Sequence, residues 1–423
     1  MSGLPRCIAI VDVNNFFVSC ERVFRPDLHN KPVIVASSND GNVVARSNES
    51  KALGVKMGVP IFKIRELIRE HQINVFSGNM PLYASMSNRV MNILSEYFPI
   101  QEIYSIDESF GDLTGLADVP ARCREMKDRI SRDTTLPVSI GTAPTKVLAK
   151  LCNFMSKRHP RSRGTFHYHL LSETQIRSIL TNLPVEEVWG IGARLTSALN
   201  AGGIHSALQL RDADIPSMRQ RFGVVLEKTI RELRGECCLE LEDVAPAKQQ
   251  IMTSRSFGQT VTSVEDLQIA LAHFVSASAK KLRDQRSVCS MLQVFLMTDR
   301  FRQDQAQYCP SISLPLTTPS ANNLTLHKYA VLGLHRIFKE GYAYKKAGVL
   351  LSEIGEEGAW QGDLFSPIPE DPALMHALDA MNRRYGKGTL KLSEDGARHT
   401  WHARQRNKSP AYTSDWNELP LCS

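Results

Sequence analysis

Short apolar runs alternate with amphipathic stretches over the first 160 residues, and this pattern predicts strands alternating with helices. The first run, 7–13 (CIAIVDV), is apolar apart from Asp12 and predicts a buried strand. Asn14 and Asn15 follow it and predict the cap of a helix that extends through Glu21. Strands and helices in this order predict an α/β domain.

The pattern changes after residue 175. Residues 176–235 are mostly helical in pattern, with glycines at the expected turns. From residue 251 strands return, and the segments predict a separate α+β domain. Its strands are predicted at 251–258, 289–298 and 345–354, with helices near 264–284 and 325–340.

Composition narrows the class of protein. The chain has 423 residues, which suggests about three domains. Hydrophobic residues make up 42% and charged residues 22%, as in soluble globular proteins, which argues against a disordered, collagenous or coiled-coil chain. Nine cysteines without a C-x-x-C pair predict free thiols in a reducing compartment. The net charge of +7 is compatible with a polyanionic partner.

Three carboxylates lie at unusual positions. Asp12 lies inside an apolar strand, where a buried, unpaired carboxylate is costly. Asp107 and Glu108 are adjacent between strands predicted at 100–104 and 109–113, and a divalent cation would relieve their repulsion. Three such ligands can bind two Mg²⁺ ions, the arrangement used for in-line nucleotidyl transfer. A hydrogen-bonded strand end at Asp12 and a solvated turn at 107–108 remain the alternative.

Three blocks occur in order along the chain: DVNNFFVSCE at 12–21, YSIDE at 104–108 and GTAPTKVLAK at 141–150. Together they resemble the catalytic blocks of Y-family, translesion DNA polymerases. The resemblance continues through VWGIG at 188–192 and SRSFG at 254–258 to the C-terminal tail. It is typical of the bacterial UmuC branch, the catalytic subunits of DNA polymerase V.

This resemblance implies a multidomain α/β fold with five parts. They are a ferredoxin-like palm at 1–24 and 74–170, small fingers at 25–73, a helical thumb with a helix-hairpin-helix at 171–242, an α+β little finger at 243–355, and a flexible C-terminal tail at 356–423.

The resemblance also assigns the catalytic residues. It implies that Asp12, Asp107 and Glu108 are the catalytic, metal-binding carboxylates and that the carbonyl oxygen of Val13 is a further ligand. The implied cofactor is Mg²⁺, with two ions bound together with the incoming dNTP.

The nucleotide-binding residues implied by the resemblance are Phe16, Phe17, Lys51 and Lys157. Phe17 lies where the family has an aromatic steric gate, whose flat ring leaves no room for a ribose 2′-hydroxyl. The UmuC branch usually has tyrosine there, so this chain keeps the ring and lacks the hydroxyl. Lys51 replaces a frequent arginine and cannot form the bidentate fork. Two core aromatics are the alternative at 16–17.

Several features suit contacts with DNA. The segment 134–172 has six Lys and Arg residues and no acidic residue, a pattern that favours salt-dependent phosphate contacts. Residues 184–204 resemble a helix-hairpin-helix, whose glycines let backbone N–H groups approach a phosphate. A solvated basic surface is the alternative for each cation. The candidate DNA-binding residues are Lys146 and Lys150, which share a helix face, Gly190, Gly192, Arg255, Lys280, Lys281 and Arg283.

The tail has two further resemblances. QGDLF at 361–365 resembles the bacterial sliding-clamp-binding peptide, and an exposed Leu-Phe pair without a partner would be unusual. Gln361, Asp363, Leu364 and Phe365 are then clamp-binding residues. SPAYT at 409–413 resembles the tail of the UmuC branch.

The resemblance therefore implies an error-prone translesion DNA polymerase subunit of the SOS response to DNA damage. The implied partners are primed damaged DNA, a UmuD′ dimer, a RecA filament and the sliding clamp. No apolar run approaches the roughly 18 residues that span a bilayer, so the expected location is cytoplasmic and nucleoid-associated. A palm-domain nucleotide cyclase, whose G-G-D/E-E-F signature is missing, and a DNA-binding regulatory subunit with an inactive site are the alternatives.

Overall fold

A computed structural model describes residues 5–159, 162–242, 246–302, 304–358, 372–386, 388–392 and 404–419. The chain forms two units, one of residues 1–37, 42–245 and 407–423, the other of 38–41 and 246–406. None of the helices in these described ranges is long and apolar enough to cross a membrane. Every cysteine in them is a free thiol, as predicted.

Strands and helices alternate in the first part of the first unit, as the sequence pattern predicts, and helices dominate after residue 172. The strands are β1 Ile8–Val13, β2 Val33–Ala36, β3 Val43–Arg46, β4 Asn74–Ser77, β5 Gln101–Ile103, β6 Glu108–Asp112, β7 Val138–Ala143 and β8 Thr165–His167. The α-helices are α1 Phe16–Phe24, α2 Asn48–Ala52, α3 Arg65–Glu70, α4 Met80–Ser95, α5 Val119–Thr134, α6 Lys146–Arg158, α7 Glu173–Asn182, α8 Ala193–Ala201, α9 Ala207–Arg211, α10 Ile215–Phe222 and α11 Val224–Leu233.

Strand β1 lies at the centre of a five-stranded sheet of order β5-β6-β1-β7-β8. Its side chains alternate between two covered faces, which explains the continuous apolar run. Ile8 and Ile10 pack with α6 and the helices that follow it. Ala9 and Val11 pack with α1, α4 and α5. Asp12 follows the alternation of Ile8 and Ile10, so its carboxylate lies on the α6 face.

Helix α6 lies unusually close to β7. A Cβ atom at Gly141 would lie 2.2 Å from the backbone nitrogen of Asn153 and 2.5 Å from the carbonyl oxygen of Ala149. Thr145 caps the helix, since its hydroxyl accepts a hydrogen bond from the amide of Leu148 at 3.3 Å. The close approach and the cap together fix where the lysines of α6 lie relative to β1.

A second sheet of the first unit has the order β3-β2-β4, with β2 antiparallel to β3 and parallel to β4. Strand β4 is therefore an edge strand. Its outer side meets the C-terminal segment, where Ser77 and Lys408 form a parallel bridge. The last residues of the chain that the structure describes thus pack on the same unit as its first residues.

The second unit is the α+β domain that the sequence predicts. Its sheet is antiparallel with the order β11-β10-β12-β9, and α12 and α13 supply apolar residues to its core. The elements are β9 Ile251–Val261, α12 Val264–Asp284, β10 Ser287–Thr298, β11 Ser311–Ser320, α13 Asn323–Ile337, β12 Tyr344–Glu356 and α14 Ala373–Tyr385.

Strand β11 was not predicted, because its sequence SISLPLTTPS contains two prolines. The strand forms at the edge of the sheet, where it pairs with only one neighbouring strand. On the open side a backbone N–H has no strand partner, so the N–H that proline lacks is not missed there. Leu314 and Leu316 are buried and the Pro315 between them is exposed, so the strand keeps the period of two.

The predicted flexible tail contains packed segments, which corrects that expectation for 372–386 and 404–419. Helix α14 buries Met375 and Leu378, which lie three residues apart on one face of the helix. The expectation of a flexible tail came from its charge composition, which does not show this spacing. Arg283 donates two hydrogen bonds to Asp379, at 2.7 and 2.9 Å, and a further one to Asn323 at 2.9 Å. Arg283 therefore anchors α14 and does not present a free charge to DNA, contrary to the prediction.

Candidate active site

Strand pairing brings the predicted carboxylates together. Strands β1 and β6 are antiparallel, and their register places Asp12 directly opposite Glu108. Glu108 follows the same alternation as Phe110, which packs in the core on the α6 face. The side chains of Asp12 and Glu108 therefore lie on one face of the sheet.

Asp107 lies in a backbone bend directly before β6, close enough to Asp12 for its negative charge to act on that carboxylate. The amides of Tyr104 and Ser105 both donate to the carbonyl oxygen of Glu108 at 3.1 Å, closing a tight turn. Ser105 Oγ donates to Asp107 Oδ1 at 2.6 Å, and the amide of Val13 donates to the carbonyl of Asp107 at 2.9 Å. Adjacent residues in a regular strand would point to opposite faces, so this turn allows both carboxylates to serve one site.

Asp12 is buried beside other negative charges. Its Oδ1 lies 2.6 Å from Nζ of Lys157, and its side chain is 14% exposed. Burial raises the pKa of Asp12 to about 6, and the negative charges of Glu108 and Asp107 add to that rise, while Lys157 opposes it. The carboxylate is thus poorly solvated and attracts a cation.

Glu108 is paired with Lys150 on α6. Lys150 Nζ donates to both carboxylate oxygens, at 3.0 and 2.9 Å. The same ammonium lies 4.5 Å from the ring centre of Tyr104 and 5.2 Å from that of Trp189. These aromatic faces add cation–π attraction and hold Lys150 in place. Trp189 belongs to the VWGIG block, so that block contributes to this site through its tryptophan, which sequence reasoning did not single out.

The three carboxylates are candidate ligands of a divalent metal. Within the residues that the structure describes, no three His, Cys, Asp or Glu side chains are arranged to hold an ion. Asp12 and Glu108 each face a lysine, and Asp107 accepts from Ser105. The donors are nevertheless hard carboxylate oxygens on adjoining backbone, and the lysines supply the positive charge that a metal would supply. The donor atoms of Asp12, Asp107 and Glu108 therefore have the chemistry that suits such an ion, while their arrangement in this structure is not that of an assembled ligand set.

Of the two phenylalanines that begin α1, Phe16 lies in the core and Phe17 lies partly at the surface. Phe16 is 3% exposed, which leaves little ring surface for a ligand, and its nucleotide contact stays a prediction. Phe17 is half-buried and stacks on Tyr83 of α4, with ring centres 4.5 Å apart and planes 15° apart. Tyr83 was not predicted as part of the site, because nothing in its local sequence marks it.

Lys51 lies near two other cations, Arg46 and Lys157. Its Nζ donates to Asn15 Oδ1 at 2.6 Å, and Asn15 in turn donates to Asn48 at 3.1 Å. Asn15 has a φ of 49°, and it uses its amide here rather than as a helix cap. Burial lowers the pKa of Lys51, and the positive charges of Arg46 and Lys157 lower it further. Arg46, a cation ending the apolar strand β3, was missed by the sequence reasoning.

Lys146 lies in a buried ion pair. Its Nζ is 2.5 Å from Glu102 Oε2, and that oxygen also accepts from the amide of Glu242 at 2.8 Å. A buried cation that already has a carboxylate partner cannot also neutralise DNA phosphates, which corrects the prediction for Lys146. Lys150, four residues along the same helix, faces Glu108 instead.

The remaining residues predicted to bind DNA lie partly in the first unit and partly in the second. Gly190 has a φ of 91° in the turn before α8, a conformation that favours glycine, and Gly192 precedes the helix directly. In the second unit, Lys280 pairs with Asp284 at 2.7 Å, and Arg255 and Lys281 are exposed. The predicted clamp-binding residues 361–365 lie outside the described residues.

Comparisons with known proteins show the family of the chain. Residues 11–153 match the model of the impB/mucB/samB family, residues 248–364 match its C-terminal domain, and residues 372–421 match a domain of unknown function, DUF4113. The chain is 42% identical to protein MucB of Salmonella typhimurium, over 98% of this chain and 99% of that protein. It is also 42% identical to protein UmuC of Salmonella typhimurium strain LT2, over 97% and 99% of the two chains.

Solved structures show the same fold. A chimera of the Y-family DNA polymerases Dbh and Dpo4 superposes with a TM-score of 0.66 at 22% identity, covering 83% of this chain and all of that one. DinB from Sulfolobus solfataricus has a TM-score of 0.52 at 23% identity, covering 82% and 98%. The multidomain fold predicted from the sequence is confirmed, and the chain belongs to the impB/mucB/samB family, as a UmuC-type member of the Y family of DNA polymerases.

Proposed function

We propose that the chain is the catalytic subunit of an error-prone translesion polymerase and that the site around Asp12 performs template-directed nucleotidyl transfer in the SOS response. One observation carries this proposal: Asp12 and Glu108 face each other across β1 and β6, with Asp107 in the adjoining turn. In the reaction, the primer 3′-oxygen bonds to the α-phosphorus of the dNTP and the bond to pyrophosphate breaks.

The proposed cofactor is Mg²⁺, two ions held by Asp12, Asp107, Glu108 and the carbonyl oxygen of Val13. When bound, such ions lower the pKa of the attacking hydroxyl and neutralise the leaving pyrophosphate. The cations Lys51, Arg46 and Lys157, which influence one another electrostatically, supply positive charge for the triphosphate. Lys150, held against Tyr104 and Trp189, keeps Glu108 oriented.

The two alternative functions are not favoured. A nucleotide cyclase would not account for family membership over nearly the whole chain. A regulatory subunit with an inactive site would not need Asp12 directly opposite Glu108, with Asp107 in the adjoining turn.

The direct test is primer extension on undamaged and abasic templates, with and without Mg²⁺. We expect extension only when Mg²⁺ is present. A second series adds the proposed partners, which are a UmuD′ dimer, a RecA filament and the sliding clamp. Absence of extension under all of these conditions would refute the polymerase function.

Phe17→Ala is expected to raise ribonucleotide incorporation by roughly tenfold to a hundredfold, because the ring no longer excludes the 2′-hydroxyl. The measurement is the ratio of kcat/KM for a ribonucleotide to that for the matching deoxyribonucleotide. Phe301→Ala, at a phenylalanine that is 55% exposed in the second unit, is the control and should leave the ratio unchanged. Unaltered sugar selection in Phe17→Ala would remove the gate role.

The double change Leu364→Ala and Phe365→Ala is expected to weaken binding to the sliding clamp at least about tenfold, as expected for two apolar anchors of a docking peptide. Isothermal titration calorimetry with the full chain measures it, and loss of Gln361 or Asp363 should have smaller effects. Leu374→Ala, at a leucine that is 52% exposed in the same tail, is the matched control. Equal affinities for the wild type and the double variant would show that the peptide does not bind the clamp.

Contacts with primed damaged DNA are proposed for Gly190 and Gly192 in the first unit and for Arg255, Lys280 and Lys281 in the second. Lys150 is not among them, because it donates to both carboxylate oxygens of Glu108. The glycines suit backbone hydrogen bonds to phosphates, and the exposed cations suit salt-dependent attraction. A protein that works on DNA with these partners is expected in the bacterial cytoplasm, at the nucleoid.

A further inference from the structure

The C-terminal residues 407–419, here called the strap, form part of the first unit and lie within the matched domain of unknown function. The strap begins along the edge strand β4. The amide of Ser77 donates to the carbonyl of Asn407 at 3.0 Å, and the amide of Asn407 donates to Ser77 Oγ at 3.0 Å. Pairing with a strand edge gives the strap a defined register.

The strap satisfies a buried side chain next to β4. Asn79 is fully buried, and its Nδ2 lies 2.9 Å from the carbonyl oxygen of Ser409, 3.0 Å from Ser409 Oγ and 3.1 Å from the carbonyl oxygen of Pro410. Its Oδ1 caps α4 by accepting from the amide of Leu82. Without the strap, the buried amide of Asn79 would lose these acceptors, so the strap is an integral part of this unit.

A stacked aromatic pair anchors the next residues of the strap. The ring of Tyr412 lies 4.6 Å from that of Phe24, the last residue of α1, with planes 16° apart. Such a contact adds attraction beyond the burial of apolar area. The strap therefore contacts both α1 and the residue that caps α4.

Ser409 connects the strap to Glu21. Ser409 is 7% exposed, and its Oγ donates to Glu21 Oε1 at 3.0 Å. Tyr83 Oη donates to the same oxygen at 2.6 Å. The other oxygen, Oε2, is buried and has no hydrogen-bond partner among the described atoms. Ser409 thus donates one of the two hydrogen bonds that the buried carboxyl group of Glu21 accepts from described side chains. Without the Ser409 hydroxyl, Tyr83 would be the sole described donor to this group.

Tyr83 connects Glu21 to Phe17. The rings of Tyr83 and Phe17 are stacked at 4.5 Å, and Phe17 lies one helical turn before Glu21 on α1. Phe17 lacks the hydroxyl that tyrosine would use as a polar anchor, so packing against neighbours such as Tyr83 fixes its ring. A continuous series of contacts therefore runs from the strap to Phe17.

We propose that the strap positions the Phe17 ring through Ser409, Glu21 and Tyr83 and so strengthens the rejection of ribonucleotides. The inference rests on the proposed function, because it takes Phe17 as the ring beneath the sugar. Ser409, Glu21 and Tyr83 are positioning residues, since each acts through another side chain.

The test uses the full chain with Ser409→Ala and measures kcat/KM for a ribonucleotide and the matching deoxyribonucleotide. We expect the ribonucleotide-to-deoxyribonucleotide ratio to rise about fivefold, the effect of one ordinary hydrogen bond. The deoxyribonucleotide value should change less than about twofold, since no group that contacts it is removed. Ser414→Ala, at an exposed serine of the same strap, is the matched control and should behave as wild type.

Tyr83→Phe keeps the stacked ring and removes the bond to Glu21, and it should also raise the ratio. If thermal melting shows that Ser409→Ala does not fold, the sugar-selection ratio of Tyr83→Phe tests the role of the contacts between the strap and Phe17. In the double variant Ser409→Ala with Phe17→Ala, the ratio should equal that of Phe17→Ala alone.

An unchanged ratio in folded Ser409→Ala and Tyr83→Phe, together with a raised ratio in Phe17→Ala, would overturn the inference and leave the proposed function standing. Active Phe17→Ala protein with an unchanged ratio would overturn both the gate and the inference. The absence of any Mg²⁺-dependent extension by wild type is a separate failure, that of the polymerase function itself.

Discussion

Asp107→Asn is expected to lower Mg²⁺-dependent primer extension at least about a thousandfold, because it removes a charged ligand while keeping the shape of the side chain. The asparagine oxygen can still accept from Ser105, which donates to Asp107 Oδ1 at 2.6 Å in the wild type. The turn before β6 and the fold should therefore survive. Single-turnover incorporation at saturating dNTP measures the effect, with DNA binding measured in parallel.

Asp112→Asn is the matched control, since Asp112 ends the same strand β6 and pairs opposite Ile8, away from Asp12. Its Oδ1 accepts from the amide of Thr114 at 2.8 Å, a bond that asparagine preserves. The control should retain wild-type incorporation. Substantial extension by Asp107→Asn would show that Asp107 does not bind the metal.

Gly141→Ala is expected to lower the free energy of unfolding of the first unit by at least about 3 kcal/mol, at the upper end of overpacking effects. The added methyl would meet backbone atoms of α6 at 2.2 to 2.7 Å, and backbone cannot rotate away as a side chain can. Either the helix moves from β7 or the strand bends. Urea unfolding followed by circular dichroism gives the free energy.

Gly192→Ala is the control for this prediction. A Cβ there has nothing within 4 Å, and the φ of −90° suits any residue. It should unfold within about 1 kcal/mol of wild type, as expected for a surface substitution. A comparably small change in Gly141→Ala would mean that α6 adjusts freely and that its distance from β7 does not fix the lysines.

The sequence predicted the centre of the site because its signals are local. An acidic residue in an apolar run marked Asp12, and two adjacent acids marked 107–108, at the start of the observed strand β6. The backbone bend that contains Asp107 depends on hydrogen bonds of Ser105 and Val13, which belong to separate parts of the chain. No local pattern reveals such a bend.

Partners distant in sequence explain the failures. Lys146 was assigned to DNA because 134–172 has no acid, but its partner Glu102 lies 44 residues earlier. Arg283 is neutralised by Asp379, 96 residues later. A run of basic residues therefore predicts net charge well and the exposure of each cation poorly. The edge strand β11 was missed for a related reason, since only the strand order shows that its prolines are tolerated.

The Lys157–Asp12 pair has a consequence for the order in which ligands bind. Lys157 holds Asp12 at 2.6 Å, and the same ammonium is proposed to bind the triphosphate. A nucleotide that attracts Lys157 frees Asp12, and a cation that attracts Asp12 frees Lys157. The two binding equilibria are then linked, and each ligand must tighten the other by the same factor. Such cooperativity would leave the metal weakly held until the nucleotide arrives.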